Sequence, residues 1–404
     1  MFFPTSSITT RKPLPLLPRC GECGLFKDCR SPKMEPCGLG KKKILIVGEA
    51  PGEREDKKGV QFVGKAGKEV LRPVLRELGI NPERDVVMTN ALICHPPNNV
   101  ITNKKAIEFC RPNLLKTINE MRPEIIILLG KSPVKSLIGH LWKESVGDMK
   151  RWAGWQIPSQ TFNTWICPIY HPSYLLRQDS VVLNRIFFAH MRDALALEGR
   201  PWDKVPDYKS QVQVEFNAKR AAKEIRILIK GKRPVAFDYE TNMLKPDSKR
   251  GRIVCCSVSD GKTTIAFPWD GEAIDAMVEL LRSDVGKIAS NMKFEDRWTK
   301  KKLKIRIRNW LRPSTGGIGD TMLAAHVLDN RPLISSIKFQ AFVKLGQEDY
   351  DSHLKPYLKS KDPGGYSENR ITEINMSDLL VYNGLDSLLE WKVAKIQYKE
   401  FTHD

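Results

Sequence analysis

The sequence of 404 residues has no hydrophobic run long enough to cross a membrane. Runs such as Ile125 to Leu129 are far shorter than the ~20 residues that a bilayer requires. The first twenty residues contain four prolines and no continuous apolar core, so they do not predict a signal peptide. From these absences we expect a cytoplasmic protein with no membrane contact.

The sequence is also short of acidic residues. It has 47 Asp and Glu against 66 Lys and Arg, which leaves a net charge of +19. Such a charge indicates a polyanionic partner, most often a nucleic acid, although it does not distinguish DNA from RNA. The content of 41% hydrophobic and 28% charged residues is typical of a globular protein, and the length favours two or three domains.

Strand-like and helical patterns alternate in the first half of the chain. Strands are predicted at 44–47, 86–93, 124–129 and 165–170, and helices at about 65–78, 103–121, 132–141 and 184–197. This alternation predicts an α/β fold with a mostly parallel sheet covered on both faces. Active sites of such sheets lie beyond the carboxyl ends of the strands, and Glu49, Asn90 and His171 stand at or near such ends.

The second half has a different pattern. A basic amphipathic segment at 217–230 precedes strands at 234–239, 253–259 and 263–268, with Asp260-Gly261 as a hairpin turn, and helical patterns follow. This order predicts an α+β domain. The predicted organisation is an N-terminal extension (1–17), a first domain (18–200), a linker with the basic helix (201–231) and a second domain (232–404).

Seven of the nine cysteines lie in the first 167 residues. Without a secretory signal, they indicate a metal or iron–sulfur site rather than disulfides. Four thiolates from Cys20, Cys23, Cys94 and Cys110 could hold either zinc or a [4Fe–4S] cluster, and spacing alone does not choose between them. Cys29 or Cys37 could replace a member of the first pair.

One glycine-rich segment needs to be excluded as a phosphate-binding loop. The segment from Gly59 to Lys65 has the glycine and lysine spacing of such a loop. However, Ala66 stands where a magnesium-binding Ser or Thr is required, and no strand directly precedes the segment. The sequence therefore does not predict a nucleoside triphosphatase.

Three separated motifs and the cysteines together resemble one family. The segments GEAPGEREDKKGVQFVGKAGKEV, MTNALICHPP and YHPSYLLR occur in this order. Over about residues 18–200 they resemble the family 4 uracil-DNA glycosylases, the iron–sulfur class. This resemblance implies a three-layer α/β/α fold and a [4Fe–4S] cluster rather than zinc, held by Cys20, Cys23, Cys94 and Cys110.

The same resemblance implies roles for individual residues. Glu49 is implied as the catalytic carboxylate and His171 as the group that stabilises the departing uracil anion. Phe62 would stack on uracil and Asn90 would read its Watson–Crick edge. The loop that fills the gap left by the flipped nucleotide would contain Leu175, Leu176 and Arg177. These roles suit the chemistry, because the base must leave the stack and cleavage separates positive charge on the sugar from negative charge on uracil.

A second group of chemistry-bearing residues lies in the second half. Asp238 and Glu240 stand two residues apart in a predicted strand, so they lie on one face. Tyr382 and Asp386 share one face of the last helix because they are four residues apart. Several carboxylates from separate elements suit a phosphodiester hydrolase that uses two divalent ions.

This second group resembles the DnaQ-like 3′–5′ exonucleases that have a tyrosine in their third motif. The resemblance covers about residues 232–400 and implies an RNase H-like domain with two Mg²⁺ or Mn²⁺ ions. It implies that Asp238, Glu240 and Asp386 bind metal and that Tyr382 orients water. The family usually has Asp four residues after Asn291, where this chain has Glu295 followed by Asp296. Either could be the fourth ligand, and we favour Glu295 because it keeps the spacing.

Asp320 also resembles a family position, at the start of a helix. We predict that it is a helix cap, since Asp is favoured there.

The order of the two predicted domains resembles the N-terminal part of certain bacteriophage DNA polymerases. No polymerase region follows up to residue 404, so we expect a separate polymerase chain as a partner. We predict a bifunctional enzyme acting on uracil-containing DNA and on DNA 3′ ends. The alternative is a non-catalytic accessory subunit of a phage replisome. The enzyme is favoured because all six central side chains are present: Glu49, Asn90, His171, Asp238, Glu240 and Asp386.

Overall fold

The computed structural model of the chain describes residues 17–360, 362 and 364–402. The predicted N-terminal extension, 1–17, lies outside the described residues except for Leu17. Two compact units meet in the sequence at Asp203 and Lys204. In the described part of the chain, no helix is both long enough and apolar enough to cross a membrane.

The first unit contains five strands and eight helices among its described residues. The strands are β1 (Ile44–Gly48), β2 (Val86–Asn90), β3 (Ile125–Leu129), β4 (Ile157–Ser159) and β5 (Thr164–Ile169). The helices are α1 (Cys20–Cys23), α2 (Glu53–Lys58), α3 (Arg72–Glu77), α4 (Ala106–Met121), α5 (Lys131–Trp142), α6 (Met149–Trp152), α7 (Pro172–Gln178) and α8 (Val181–Leu195). A short π-helical segment, Gly67–Leu71, leads into α3.

These strands form one sheet in the order β2-β1-β3-β5-β4. All neighbours are parallel except β4, which runs antiparallel to β5 at the edge. Every residue of β1 and β3 is buried, as expected for strands covered on both faces. Side chains of α3 and α8 pack on one face, and α5 contacts β1 and β3. The predicted mostly parallel α/β/α fold is confirmed.

Parallel pairing brings the strand ends to one edge of this sheet. Gly48 at the end of β1 lies beside Asn90 at the end of β2. The end of β3 lies beside the end of β5, where Leu129 pairs with Ile169. Glu49, Asn90 and His171 therefore stand at the same edge, as the strand-end argument predicts.

The second unit also contains five strands, here with seven helices among its described residues. The strands are β6 (Val212–Val214), β7 (Val235–Thr241), β8 (Ile253–Ser259), β9 (Thr264–Pro268) and β10 (Lys287–Ile288). The helices are α9 (Ala218–Gly231), α10 (Gly271–Arg282), α11 (Met292–Leu303), α12 (Thr321–Leu328), α13 (Ile337–Leu345), α14 (Lys355–Leu358) and α15 (Met376–Thr402).

The second sheet has the strand order β10-β7-β8-β9-β6. The strands β7, β8 and β9 form an antiparallel meander, while β10 is parallel to β7 and β6 is parallel to β9. The predicted hairpin turn is present, since the Asp260 carboxylate accepts hydrogen bonds from the backbone N–H groups of Lys262 and Thr263. Three antiparallel strands followed by a parallel one form the predicted RNase H-like α+β fold, which is confirmed.

The segment 201–231, interpreted from sequence as a linker and basic helix, contributes elements to the second unit. Its strand β6 extends the sheet beside β9. The helix α9 packs on the sheet through Ala221, Ala222 and Ile225, which are fully buried. Burial of these side chains explains why this compact unit begins at Lys204, ahead of residue 232.

Candidate active sites

A cavity of about 370 Å³ lies at the carboxyl edge of the first sheet. Glu49 and His171 both line it, together with the basic side chains Lys131, Lys150 and Arg177. The residues that follow β1 and β5 thus face one space. A carboxylate and an imidazole in a cavity with basic walls form a candidate site for an anionic substrate.

The Glu49 carboxylate is held by a residue that the sequence analysis did not name. The Ser132 hydroxyl donates a hydrogen bond of 2.6 Å to Glu49 Oε2. Ser132 is buried at the start of α5, directly after the end of β3. Its position after a strand end was the available signal, since β3 ends at the same edge as β1.

The hydrogen bonds of His171 define its tautomer. Its Nδ1 accepts a hydrogen bond of 3.1 Å from the Ser173 backbone N–H and lies 2.7 Å from the Ser173 hydroxyl. Burial lowers the pKa of His171 to about 4, against the opposing effect of Glu49. At neutral pH the imidazole is therefore uncharged, and its proton is on Nε2 because Nδ1 is an acceptor.

Two glycines permit the close approach of these side chains. Gly130 has a φ of +92°, and a Cβ there would lie 2.9 Å from His171 Cβ. A Cβ at Gly48 would lie 2.3 Å from Asn90 Oδ1 and 2.6 Å from Phe62 Cζ. Asn90 and Phe62 therefore meet over the backbone of Gly48, the residue before Glu49. Both side chains are buried.

The segment predicted to enter the DNA gap is a helix rather than a loop. Leu175, Leu176 and Arg177 all lie in α7, which begins with Pro172. Leu175 is only 3% exposed and packs in the core of the first unit. The predicted contact of Leu175 with DNA is therefore corrected, because its side chain stabilises the fold. Leu176 is half-buried and Arg177 is exposed.

The four predicted cluster ligands surround a small cavity of their own. Cys20 and Cys23 lie in α1, Cys94 follows β2, and Cys110 lies in α4. All four line the same cavity, whose other walls are Leu25, Phe26, Leu92, Ile93 and Phe109. The thiols of Cys94 and Cys110 also accept hydrogen bonds, from the Lys33 backbone N–H and the Asn113 side-chain amide.

The other two cysteines considered as ligands lie in different places. Cys29 is close to Cys94 but does not line the cavity. Cys37 is in a β-bridge with Met88 and packs on the core of the first unit. Burial raises the pKa of the Cys94 thiol to about 12. Metal binding would therefore have to displace a proton from this sulfur.

The second unit brings three of its predicted ligands together. Oxygen atoms of Asp238, Glu240 and Asp386 all lie within 4.8 Å of one another. Asp238 and Glu240 point to one face of β7, and Asp386 reaches them from α15. Tyr382 lies one turn before Asp386 and is buried. Carboxylate oxygens at this separation fit hard divalent cations such as Mg²⁺ and Mn²⁺.

Three further residues, none of them predicted from the sequence, contact this acidic group. The Asn383 amide donates a 2.6 Å hydrogen bond to Asp238 Oδ2. The ammonium of Lys338 contacts both oxygens of Asp386, and the Tyr350 hydroxyl donates to one of them. Asn383 carried a signal, because it lies between Tyr382 and Asp386, whereas Lys338 is 48 residues from its partner.

Glu295 and Asp296 occupy different environments. Glu295 is buried, and its Oε2 has no hydrogen-bond partner among the described residues. Burial and the nearby Asp238 raise the pKa of Glu295 well above its usual range. Asp296 is partly exposed and forms an ion pair with Lys300 one turn away. Of the two neighbours, Glu295 is therefore the one that faces the acidic group.

Asp320 orders the start of two helices near this group. Its carboxylate accepts hydrogen bonds from the backbone N–H groups of Met322 and Leu323 at the start of α12. It also accepts from the N–H groups of Asn291 and Met292 at the start of α11. The prediction that Asp320 is a helix cap is confirmed, and its second set of contacts fixes the helix that carries Glu295.

Burial and mutual repulsion disfavour the ionised form of several carboxyls in this group. Burial and Asp386 raise the pKa of Asp238 to about 8. Burial is the main cause that raises the pKa of Glu240 well above its usual range. It does the same for Glu390, another fully buried carboxyl, which lies on α15. Burial opposes the charge of Lys338, but the ion pair with Asp386 raises its pKa. Such a site fits added cations, because they would stabilise the ionised carboxylates.

One of the known proteins similar to this chain matches most of its length. The chain is 28% identical over 379 residues to the DNA polymerase of Bacillus phage SP01, and the match covers 84% of this chain and 38% of that polymerase. Among solved structures, the catalytic core of RRP6 from Trypanosoma brucei matches with a TM-score of 0.35 and 14% identity, over 48% of each chain.

The first unit gives closer matches. The model of the uracil DNA glycosylase superfamily matches residues 37–196. The type-4 uracil-DNA glycosylase of Pyrobaculum aerophilum is 36% identical over 174 residues, which are 41% of this chain and 84% of that protein. Since most of that relative is matched, the chain belongs to the type-4 uracil-DNA glycosylase family.

Proposed function

We propose that the first unit excises uracil from DNA by hydrolysing the N-glycosidic bond. The observation that carries this proposal is the pairing of Glu49 with a neutral His171 in one cavity. Bond cleavage develops positive charge on the deoxyribose and negative charge on uracil. A carboxylate and a hydrogen-bond donor on opposite sides of the bond would stabilise both charges.

Glu49 would face the sugar. The Ser132 hydroxyl holds one carboxylate oxygen, so the other is free to stabilise the sugar cation or to orient the attacking water. Because Ser132 is a neutral donor, it fixes the direction of the carboxylate while leaving its charge. Removing Glu49 would therefore cost transition-state stabilisation rather than DNA affinity.

His171 would face the uracil oxygen that gains negative charge. With Nδ1 occupied by the Ser173 N–H, the Nε2–H is the donor that can reach the base. A neutral imidazole donates a hydrogen bond without a proton transfer, so uracil would leave as an anion. Phe62 would stack on the ring and Asn90 would pair with its edge, as both lie beside Gly48.

Basic residues around the cavity would bind the DNA backbone. Lys131, Lys150 and Arg177 line it, and phosphate contacts of this kind position DNA without reading its sequence. A half-buried Leu176 next to Arg177 is the residue that we propose to fill the space of the extruded nucleotide. Extrusion is required because the glycosidic bond is inaccessible in a stacked base.

We propose that Cys20, Cys23, Cys94 and Cys110 hold a [4Fe–4S] cluster. The four cysteines line one cavity with apolar side chains. The similarity of the first unit to type-4 uracil-DNA glycosylases favours an iron–sulfur cluster over zinc at this place. The role of the cluster would be to join α1, α4 and the segment after β2 into one structure.

For the second unit we propose removal of nucleotides from DNA 3′ ends. The group of Asp238, Glu240 and Asp386 supports this activity, with Glu295 as the fourth ligand. When bound, two divalent ions would supply Lewis-acid stabilisation of the phosphate and of the leaving oxygen. Asn383 would hold Asp238 in place, and Tyr382 would orient the attacking water.

One observation favours an alternative for the second unit. Lys338 already contacts both oxygens of Asp386, so a protein cation neutralises one of the proposed ligands. A unit that kept this ion pair on DNA would bind 3′ ends without cleaving them. Such a unit would act as an accessory module beside a DNA polymerase, and the match to a phage polymerase supports a polymerase partner.

The experiment uses one DNA substrate that contains uracil and carries a 3′ label. Release of uracil in EDTA, with loss of the label only when Mg²⁺ or Mn²⁺ is added, would support both proposed activities. Uracil release without any metal-dependent loss of label would favour the accessory alternative. The absence of uracil release would refute the proposal for the first unit.

A further inference from the structure

Gln61 is a fully buried polar residue to which no role has been assigned. It stands in the sequence next to Phe62, and its side chain contacts Asn90. Its Oε1 accepts a hydrogen bond from Asn90 Nδ2, and its Nε2 donates one of 3.4 Å to the Glu35 carbonyl oxygen. The three groups form a short relay that ends at Asn90.

The relay has a defined direction. A backbone carbonyl can only accept, so the end of Gln61 that faces Glu35 must be its NH₂ group. Its oxygen then faces Asn90, and this requires Asn90 to present its NH₂ group to Gln61. If the Asn90 amide were flipped, two amide oxygens would face each other in a buried place, at a cost of the order of a lost buried hydrogen bond.

The other face of Asn90 is thereby fixed as well. Its Oδ1 is turned toward the space above Gly48, where the Phe62 ring lies. Nδ2 carries two hydrogens and Gln61 accepts one of them, which leaves the other for a bound base. Asn90 therefore offers an acceptor and a donor in a fixed order to a base stacked on Phe62.

This order suits one pyrimidine and not the other. Uracil presents the N3–H donor next to the O4 acceptor. The N3–H would donate to Asn90 Oδ1, and O4 would accept from Asn90 Nδ2. Cytosine presents the N3 acceptor next to the N4 amine, which reverses both partners. Cytosine would fit only if the Asn90 amide flipped, and the relay opposes that flip.

We propose that Gln61 is a positioning residue that fixes the Asn90 amide so that the pocket accepts uracil and rejects cytosine. This inference rests on the proposed glycosylase function. Two hydrogen bonds hold the loop around Gln61 and Phe62 in place. The Phe62 carbonyl accepts a 3.0 Å hydrogen bond from Arg72, and the Gly64 N–H donates one of 2.7 Å to Glu55.

The experiment measures base release from two single-stranded DNA substrates that differ only in one uracil or cytosine. The full chain is compared with Gln61→Leu and Gln61→Met, which fill similar space without an amide. Val60→Ala is the matched control, because Val60 precedes Gln61 and its side chain is exposed. Initial rates give kcat/KM for each base, and thermal melting reports folding.

We expect the wild type to discriminate against cytosine by about 10⁴ or more, the scale for a site that pairs with a polar edge. In either Gln61 variant, uracil release should fall about two- to tenfold. The ratio of uracil to cytosine release should fall at least tenfold, since a free amide can turn to either base. Val60→Ala should keep the wild-type ratio.

The two hypotheses fail in different ways. If the wild type releases no uracil, the proposed function is refuted. If the wild type releases uracil but a folded Gln61 variant keeps its full discrimination against cytosine, the relay does not set specificity. Loss of uracil release at an unchanged base ratio would equally overturn the inference, because it would make Gln61 a structural residue only. The Met variant decides the question if the Leu variant does not fold.

Discussion

Glu295 and Asp296 provide a matched test of the acidic site, because they are neighbours on α11 with opposite surroundings. The substitutions are Glu295→Gln and Asp296→Asn, and each replaces a carboxyl by an amide of the same size. Glu295 is buried with an unpaired Oε2 near Asp238, whereas Asp296 forms an ion pair with Lys300 at the surface. The same chemical change should therefore have two different effects.

The effect on stability can be worked out from these surroundings. Burial raises the pKa of Glu295 well above its usual range, which favours its uncharged form, and we therefore expect Gln to change stability little in the absence of metal. Loss of the exposed ion pair of Asp296 should cost about 0.3–0.5 kcal/mol. That is about 1–2 °C in Tm for a unit of this size, and it should be the same with and without Mg²⁺.

The effect on metal binding separates the two variants further. If Glu295 is a ligand, Gln should weaken Mg²⁺ binding at least tenfold, which lowers the stabilisation by saturating Mg²⁺ by about 1.4 kcal/mol. The 3′ nuclease should then fall by about 10²-fold or more, the scale for one lost electrostatic contribution. The assay is melting in EDTA and in Mg²⁺, followed by digestion of a 3′-labelled strand. If Asp296→Asn loses the 3′ nuclease while Glu295→Gln keeps it, this reasoning is refuted.

Four other predictions concern the first unit. Glu49→Ala and His171→Ala should each lower uracil release by about 10²-fold or more while the 3′ nuclease is kept, and full activity in both would contradict their roles. Cys94→Ser and Cys110→Ser should lose iron in a chemical iron assay. Cys37→Ser should keep its iron, because Cys37 lies in the core. Full iron content in either of the first two variants would show that Cys29 is a ligand instead. Burial lowers the pKa of His171 to about 4. The unfolded chain therefore binds this proton near pH 6.5, whereas the folded chain binds it only near pH 4. The free energy of unfolding should fall as the pH drops from 6.5 to 4, by ~3 kcal/mol in total. Uracil release should not show a protonation step near pH 6.5, and a step there in a pH–rate profile would show a charged, exposed imidazole.

Much of the fold follows from short-range patterns in the sequence. The strand β8 begins and ends where its pattern predicts, and the apolar runs of β1 and β3 mark the buried centre of the first sheet. The strands β4 and β6 were missed because each has only three residues, too few for a periodic pattern. The helix α7 was missed, although Pro172 at its first position is a recognised signal for a helix start.

Some residues of the two sites could be predicted from short-range patterns, and others could not. Glu49, Asn90 and His171 could be predicted because parallel strands bring their ends to one edge. Partners that reach the site across the fold gave no such signal. Gln61 is 29 residues from Asn90 and Lys338 is 48 residues from Asp386, and periodicity does not reveal which distant side chain a residue faces. Leu175 shows the converse, since its motif position did not reveal that its side chain is buried.

We propose that one chain carries two independent active sites for DNA. The most direct measurement follows uracil release and 3′ degradation of the same labelled DNA by the wild type, Glu49→Ala and Asp238→Asn. We predict that Glu49→Ala loses only uracil release and that Asp238→Asn loses only the Mg²⁺-dependent 3′ degradation. Loss of both activities in either folded variant, or no 3′ degradation by the wild type, would contradict the account.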